Sequence, residues 1–305
     1  MTYSQLPQRH ALSPKDRLSH QLSHPLSHPL SYQPIGVFDS GAGGLTVLKE
    51  LERRLPNEPL LYLGDTARVP YGTRSPEEII EFARQIIAWM VGRNVKMVVM
   101  ACNTSSALAL ETMRQEFDLP ILGLIQPAAA LAVSQGQRIG VIATPTTAKS
   151  HAYRDAIKER SPETAIWEVG CPEFVPIVEG DRIHAPETMP IVRTYLQPLL
   201  DQGIDSLVYG CTHYPHLAPV LDQILPDAIA RIDPAVSIVE EATQVLDQQQ
   251  LHHTGPQQSH RFYVTGEQQQ FSALATQWLS TPPTVEKVSL DSTNPTPIYP
   301  MPVAI

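Results

Sequence analysis

Two short segments of this 305-residue chain carry residue types suited to thiol chemistry: Ala101-Cys102-Asn103-Thr104 and Gly210-Cys211-Thr212-His213. Each closes an apolar run and opens a polar one, so each reads as the point where a strand ends and a helix begins. In a parallel α/β sheet, ligands bind at the carboxyl ends of strands. The first backbone N–H groups of the following helix are unpaired and attract anions. Asn103, Thr104 and Thr212 add short hydrogen-bonding groups there. The same position is expected to lower a thiol's pKa and favour the reactive thiolate. One such cysteine alone reads as a small core residue. Two at matching places, each followed by polar residues, reverse that reading.

Other segments offer supporting groups. Asp39-Ser40-Gly41-Ala42-Gly43-Gly44 follows an apolar run, and its glycines allow a tight turn and close backbone approach to a ligand. It lacks the Lys of G-x-x-x-x-G-K-[ST] and does not fit G-x-G-x-x-G. Asp39 would repel a phosphate, so the loop suits acid/base support or an Asx turn better. Pro70-Tyr71-Gly72-Thr73 is turn-like, and Tyr71 and Gly72 either line a cleft or form an ordinary loop. Glu179 and His213 could tune and orient a nearby thiol. Cys171 lacks the strand-end pattern of the other two cysteines and reads as structural.

These groups need a frame, and the hydrophobic pattern supplies one. Strands are expected at Ile35–Phe38, Leu60–Leu63, Met97–Met100, Arg138–Ile142, Ser206–Tyr209 and Arg261–Val264. Helices are expected over Leu45–Leu55, from Pro76 to about Val91, from Asn103, over Ala148–Arg160, Pro186–Leu200 and Gln268–Leu279. Ser75, Pro76 and Glu78 spell an N-cap, an N1 proline and a capping box. Strands alternating with helices indicate βαβ units, hence an α/β fold with parallel sheets. Ile35-Gly36-Val37 and Ile139-Gly140-Val141 open two similar halves. Cys102 lies 66 positions after Gly36, and Cys211 lies 71 after Gly140.

The formal net charge is -9 and no Lys/Arg cluster stands out, which argues against a nucleic-acid partner and for a small-molecule substrate. No run of about 18 apolar residues indicates a membrane-spanning helix. The N-terminus lacks a secretory pattern. Three dispersed cysteines without C-x-x-C point to a reducing, cytoplasmic setting and not to a disulfide framework. The Ser-His-rich repeat within 1–33 reads as a disordered leader, and the Pro-rich 291–305 as a loose tail.

Taken in order, five motifs resemble the glutamate racemase family: Ile35 to Gly44, Val69-Pro70-Tyr71-Gly72, Ala101 to Thr104, Cys171 to Glu179, and Gly210-Cys211-Thr212-His213-Tyr214-Pro215. The resemblance covers about 34–280 and departs nowhere at these motifs. It implies two pseudo-symmetric parallel-sheet α/β domains with the active site at their interface. One domain would hold 34–126 plus 237–290, and the other 127–236. It also implies that Cys102 deprotonates D-glutamate and Cys211 L-glutamate, with Asp39, Glu179 and His213 as auxiliary acid/base groups. Substrate contacts would come from Asp39, Ser40, Tyr71, Gly72, Asn103, Thr104, Thr212 and His213. No cofactor or metal is needed, D-glutamate would feed peptidoglycan synthesis, and self-association as a homodimer is expected.

The chemistry suits the residues. Racemisation removes an α-proton from one face and returns a proton to the other. Two related half-sites with one thiol each meet that requirement. Three alternatives stay open at this point. They are a sister racemase acting on aspartate or a related amino acid, a non-catalytic ligand-binding protein of the same fold, and a thiol redox protein.

Overall fold

A computed structural model describes residues 29–256, 258–279 and 281–290. Its strands are β1 (Ile35–Asp39), β2 (Leu60–Gly64), β3 (Met97–Met100), β4 (Ile121–Gly123), β5 (Arg138–Ala143), β6 (Ala165–Gly170), β7 (Ser206–Gly210), β8 (Ala230–Ile232), β9 (Arg261–Val264) and β10 (Val285–Lys287). They form a six-stranded sheet of order β10-β9-β2-β1-β3-β4 and a four-stranded sheet of order β6-β5-β7-β8. All pairings are parallel. β1, β2, β3 and β7 are buried along their whole length, as expected for strands covered on both faces.

The second sheet repeats part of the first. The order β2-β1-β3-β4 and the order β6-β5-β7-β8 are the same pattern of connections. Gly36 and Gly140 sit in the two equivalent central strands. Cys102 follows β3 and Cys211 follows β7, so both cysteines occupy the same topological place.

Helices cover both faces of each sheet. On the six-stranded sheet, Leu45, Leu48 and Leu51 share one core with Ile238, Val239 and Ala242. Ile79, Ala83, Ile86, Ile87 and Met90 fill the other side. On the four-stranded sheet, Val192, Leu196 and Leu199 lie on one face, and Ile125, Ala128, Ala129 and Ala132 on the other. Each fully buried aliphatic side chain contributes about 1.5–3 kcal/mol relative to exposure. The Ser75–Glu78 capping box is present at the start of the Pro76–Val91 helix.

Some elements differ from expectation. The helix expected over Ala148–Arg160 starts at Pro145 and is interrupted by His151, whose φ of 57° is left-handed. β4, β6, β8 and β10 were not anticipated. Three of them have only three residues, and β6 is half-buried throughout, so none shows a clear apolar run. The Pro234–Gln249 helix was hidden in a Gln-rich stretch. Of the expected leader, 1–28 lies outside the described residues. Leu30–Tyr32 forms a 3-10 turn, and Ser31 accepts a hydrogen bond from Lys96 Nζ at 3.2 Å. The expected tail, 291–305, also lies outside them. No described helix is long and apolar enough to cross a membrane.

Candidate active site

The loop after β1 is shaped by one carboxylate. Asp39 Oδ2 accepts from the Gly41 N–H at 3.1 Å and the Gly44 N–H at 3.0 Å. The Tyr62 hydroxyl donates to the Gly41 carbonyl at 2.8 Å. Asp39 thus makes the turn considered for it in the sequence and also faces a cavity. Gly43 shows why this loop needs glycine. A Cβ there would lie 2.4 Å from His213 Nδ1 and 2.5 Å from Thr212 Oγ1, across the domain boundary.

That cavity, about 490 Å³, is walled by both domains. It brings together Asp39, Ser40, Tyr71, Gly72, Cys102, Asn103, Thr104, Glu179, Cys211, Thr212 and His213. All the candidate residues therefore line one space. A larger groove of about 730 Å³, around Lys96 and Phe117, contains none of them.

Cys102 is 5% exposed and its Sγ donates to Ser40 Oγ at 3.9 Å. Burial pushes this thiol up to about 12, and the nearby Asp39 charge pushes the same way; the Ser105 N–H at the helix start opposes them. This corrects the expectation of a lowered pKa, because desolvation outweighs one short helix terminus.

The Cys211 side is built differently. Cys211 Sγ lies 3.7 Å from His213 Nδ1, and His213 Nε2 lies 3.0 Å from Glu179 Oε1. Burial would lower the imidazole, but its bonds to Cys211 and Glu179 win and raise it to about 10. A proton is therefore held on His213 between the sulfur and the carboxylate. Asp39 is raised by burial, with His213 and the Gly44 and Gly41 N–H groups opposing.

Contacts across the cavity tie the domains together. Thr104 Oγ1 is 3.1 Å from Thr144 Oγ1 and 3.0 Å from Thr147 Oγ1. The Thr146 hydroxyl donates to the Gly72 carbonyl at 2.6 Å. Tyr71 lines the wall, but its hydroxyl donates to Asp65 and so turns away from the cavity. Cys171, read as structural, is 1% exposed within the core of the four-stranded sheet and also borders the cavity; its thiol is raised by burial. Thr144 was missed. The repeat could have found it: four positions after Gly36 is Ser40, and four after Gly140 is Thr144.

Two similar parallel-sheet domains, each presenting a strand-end cysteine to one shared cavity, define an α/β protein of the two-thiol cleft class. The Asp/Glu/Hydantoin racemase family model matches residues 35–242. The glutamate racemase of Synechocystis sp. is 57% identical over 256 residues, covering 84% of this chain and 92% of that one. The glutamate racemase of Nostoc sp. is 59% identical over 255 residues, covering 84% and 87%. Among solved structures, the glutamate racemase of Francisella tularensis in complex with D-glutamate superposes with a TM-score of 0.81 at 36% identity, covering 86% of this chain and 99% of that one. The chain belongs to the Asp/Glu/Hydantoin racemase family and is an amino-acid racemase.

Proposed function

We propose that the protein interconverts L-glutamate and D-glutamate with two thiols and no cofactor, and that D-glutamate so made in the cytoplasm supplies peptidoglycan synthesis. The observation that carries this reading is the pair of topologically equivalent cysteines, one from each sheet, on a single cavity. Relatives named glutamate racemase support the substrate.

In the L-to-D direction, the Cys211 thiolate takes the α-proton: the Cα–H bond breaks and an S–H bond forms. The carbanion then takes the proton of the Cys102 thiol on its opposite face. The reverse direction exchanges the roles. His213, backed by Glu179, stands 3.7 Å from the Cys211 sulfur, and burial keeps Cys102 a thiol ready to give its proton to the carbanion. An amino-acid α-proton is far less acidic than a thiol, whose reference pKa is about 8.5. The site must therefore stabilise the carbanion. Asn103, Thr104 and Thr212, Ser40, and the backbone at Gly72 hold the two carboxylates, and fixed donors of this kind act most strongly where charge develops. Tyr71 contributes its ring and backbone. Asp39, Glu179 and His213 assist proton handling. The domains of this reading are 34–126 with 237–290, and 127–236.

The test is incubation with L-glutamate in D2O without added cofactor. α-Proton exchange with decay of optical rotation to zero is the expected result. No exchange and no decay from either enantiomer would sink the proposal. Faster turnover of aspartate would replace the substrate. Cys102→Ala and Cys211→Ala are each expected to lower turnover by about 10³-fold or more, in line with loss of a positioned acid/base group.

A further inference from the structure

Asn103 opens the six-residue helix Asn103–Leu108 and is 3% exposed. Its two amide atoms have different fates. Oδ1 accepts a hydrogen bond from the Tyr153 hydroxyl at 2.6 Å. Asn103 lines the cavity, and its Nδ2 is buried with no hydrogen-bond partner within the protein. Buried N–H groups are nearly always paired, so an unpaired one on a cavity-lining residue calls for a partner.

Tyr153 belongs to the other domain. It lies in the Ala152–Arg160 helix, is fully buried, and packs beside Gly210, where a Cβ would meet its ring at 3.2 Å. It does not line the cavity. Burial holds its phenol well above the usual range, so the hydroxyl stays a donor.

We propose that Tyr153 is a positioning residue which, by donating to Asn103 Oδ1, locks the Asn103 amide with Nδ2 facing the cavity as a fixed donor to a substrate carboxylate. The reversed amide would present Oδ1 and repel that carboxylate. Because the two residues come from different domains, the donor is set only where the domains meet. This rests on the racemase reading of the cavity.

The experiment is a double-mutant cycle of Tyr153→Phe and Asn103→Ala, with kcat and KM measured for both enantiomers and a thermal midpoint for each variant. Tyr153→Phe is expected to raise KM about tenfold, as for loss of one hydrogen bond to a charged group, with kcat changed much less. In the Asn103→Ala background, Tyr153→Phe is expected to add nothing. Asn103→Asp keeps an acceptor for Tyr153 but removes the N–H, and is expected to raise KM at least as much whether or not the phenylalanine variant folds. Additive effects, a normal KM for Asn103→Asp, or a lower midpoint with unchanged KM would overturn the proposal while leaving the racemase reading intact. An inactive wild type would remove both.

Discussion

At the residue scale, the two thiols are chemically unequal although their places in the fold are equivalent. Cys102 faces Ser40 and the Asp39 carboxylate, whereas Cys211 faces His213 backed by Glu179. Burial disfavours the charged form, so the raised Cys102 pKa means a small thiolate fraction at neutral pH. Carboxamidomethylation of Cys102 by iodoacetamide, followed by mass spectrometry, is expected to speed up about tenfold per pH unit from 8 to 11 without a plateau. A plateau near pH 8 would contradict the burial argument. His213→Asn should also act unevenly. L- and D-glutamate have equal free energy, so kcat/KM must fall alike in both directions. The asymmetry is expected in kcat and KM taken separately, and progress curves from each enantiomer would read it. The cavity positions of Cys102, Cys211, Asp39 and His213 were legible because strand-end polar motifs survive in a linear sequence, whereas Glu179, at the end of a helix, was reached through the family resemblance. The pKa direction of Cys102 and the cavity position of Cys171 were not legible, since both depend on what packs around the sulfur.

At the element scale, close approach between loops sizes the cleft. Gly43 touches Thr212 and His213, and a Cβ on Gly72 would lie 3.0 Å from Thr144 Cβ. Gly43→Ala is expected to lower turnover by about 10²-fold, the effect of a displacement of about 1 Å at a reacting centre, while far-UV circular dichroism stays native. Unchanged turnover would show that the loop can give way. Strands with long apolar runs, and the helix carrying a capping box, could be read from the sequence. β4, β8 and β10 are three residues each, too short for a period to register. The break at His151 depends on a left-handed backbone that no apolar pattern records.

For the whole molecule, the repeated strand order ties the two halves to one architectural plan. The reading of two halves rested on a three-residue match and a spacing; the domain limits came from the family resemblance and fall inside helices. Ile125 and Ala128 pack with the four-stranded sheet, and Ala235 and Ile238 with the six-stranded one. A fragment spanning 124–233 therefore contains the cores of the four-stranded domain and is expected to melt cooperatively with mixed α/β circular dichroism. A featureless melt would mean that the two domains fold only together.

Among the described residues the chain passes between the two sheets twice, after β4 and after β8. Two covalent crossings behave like the two leaves of a door fastened along one edge. Rotation about the line through them stretches neither connection, whereas sliding or twisting strains at least one. A swing of this kind would part the contacts of Thr104 with Thr144 and Thr147.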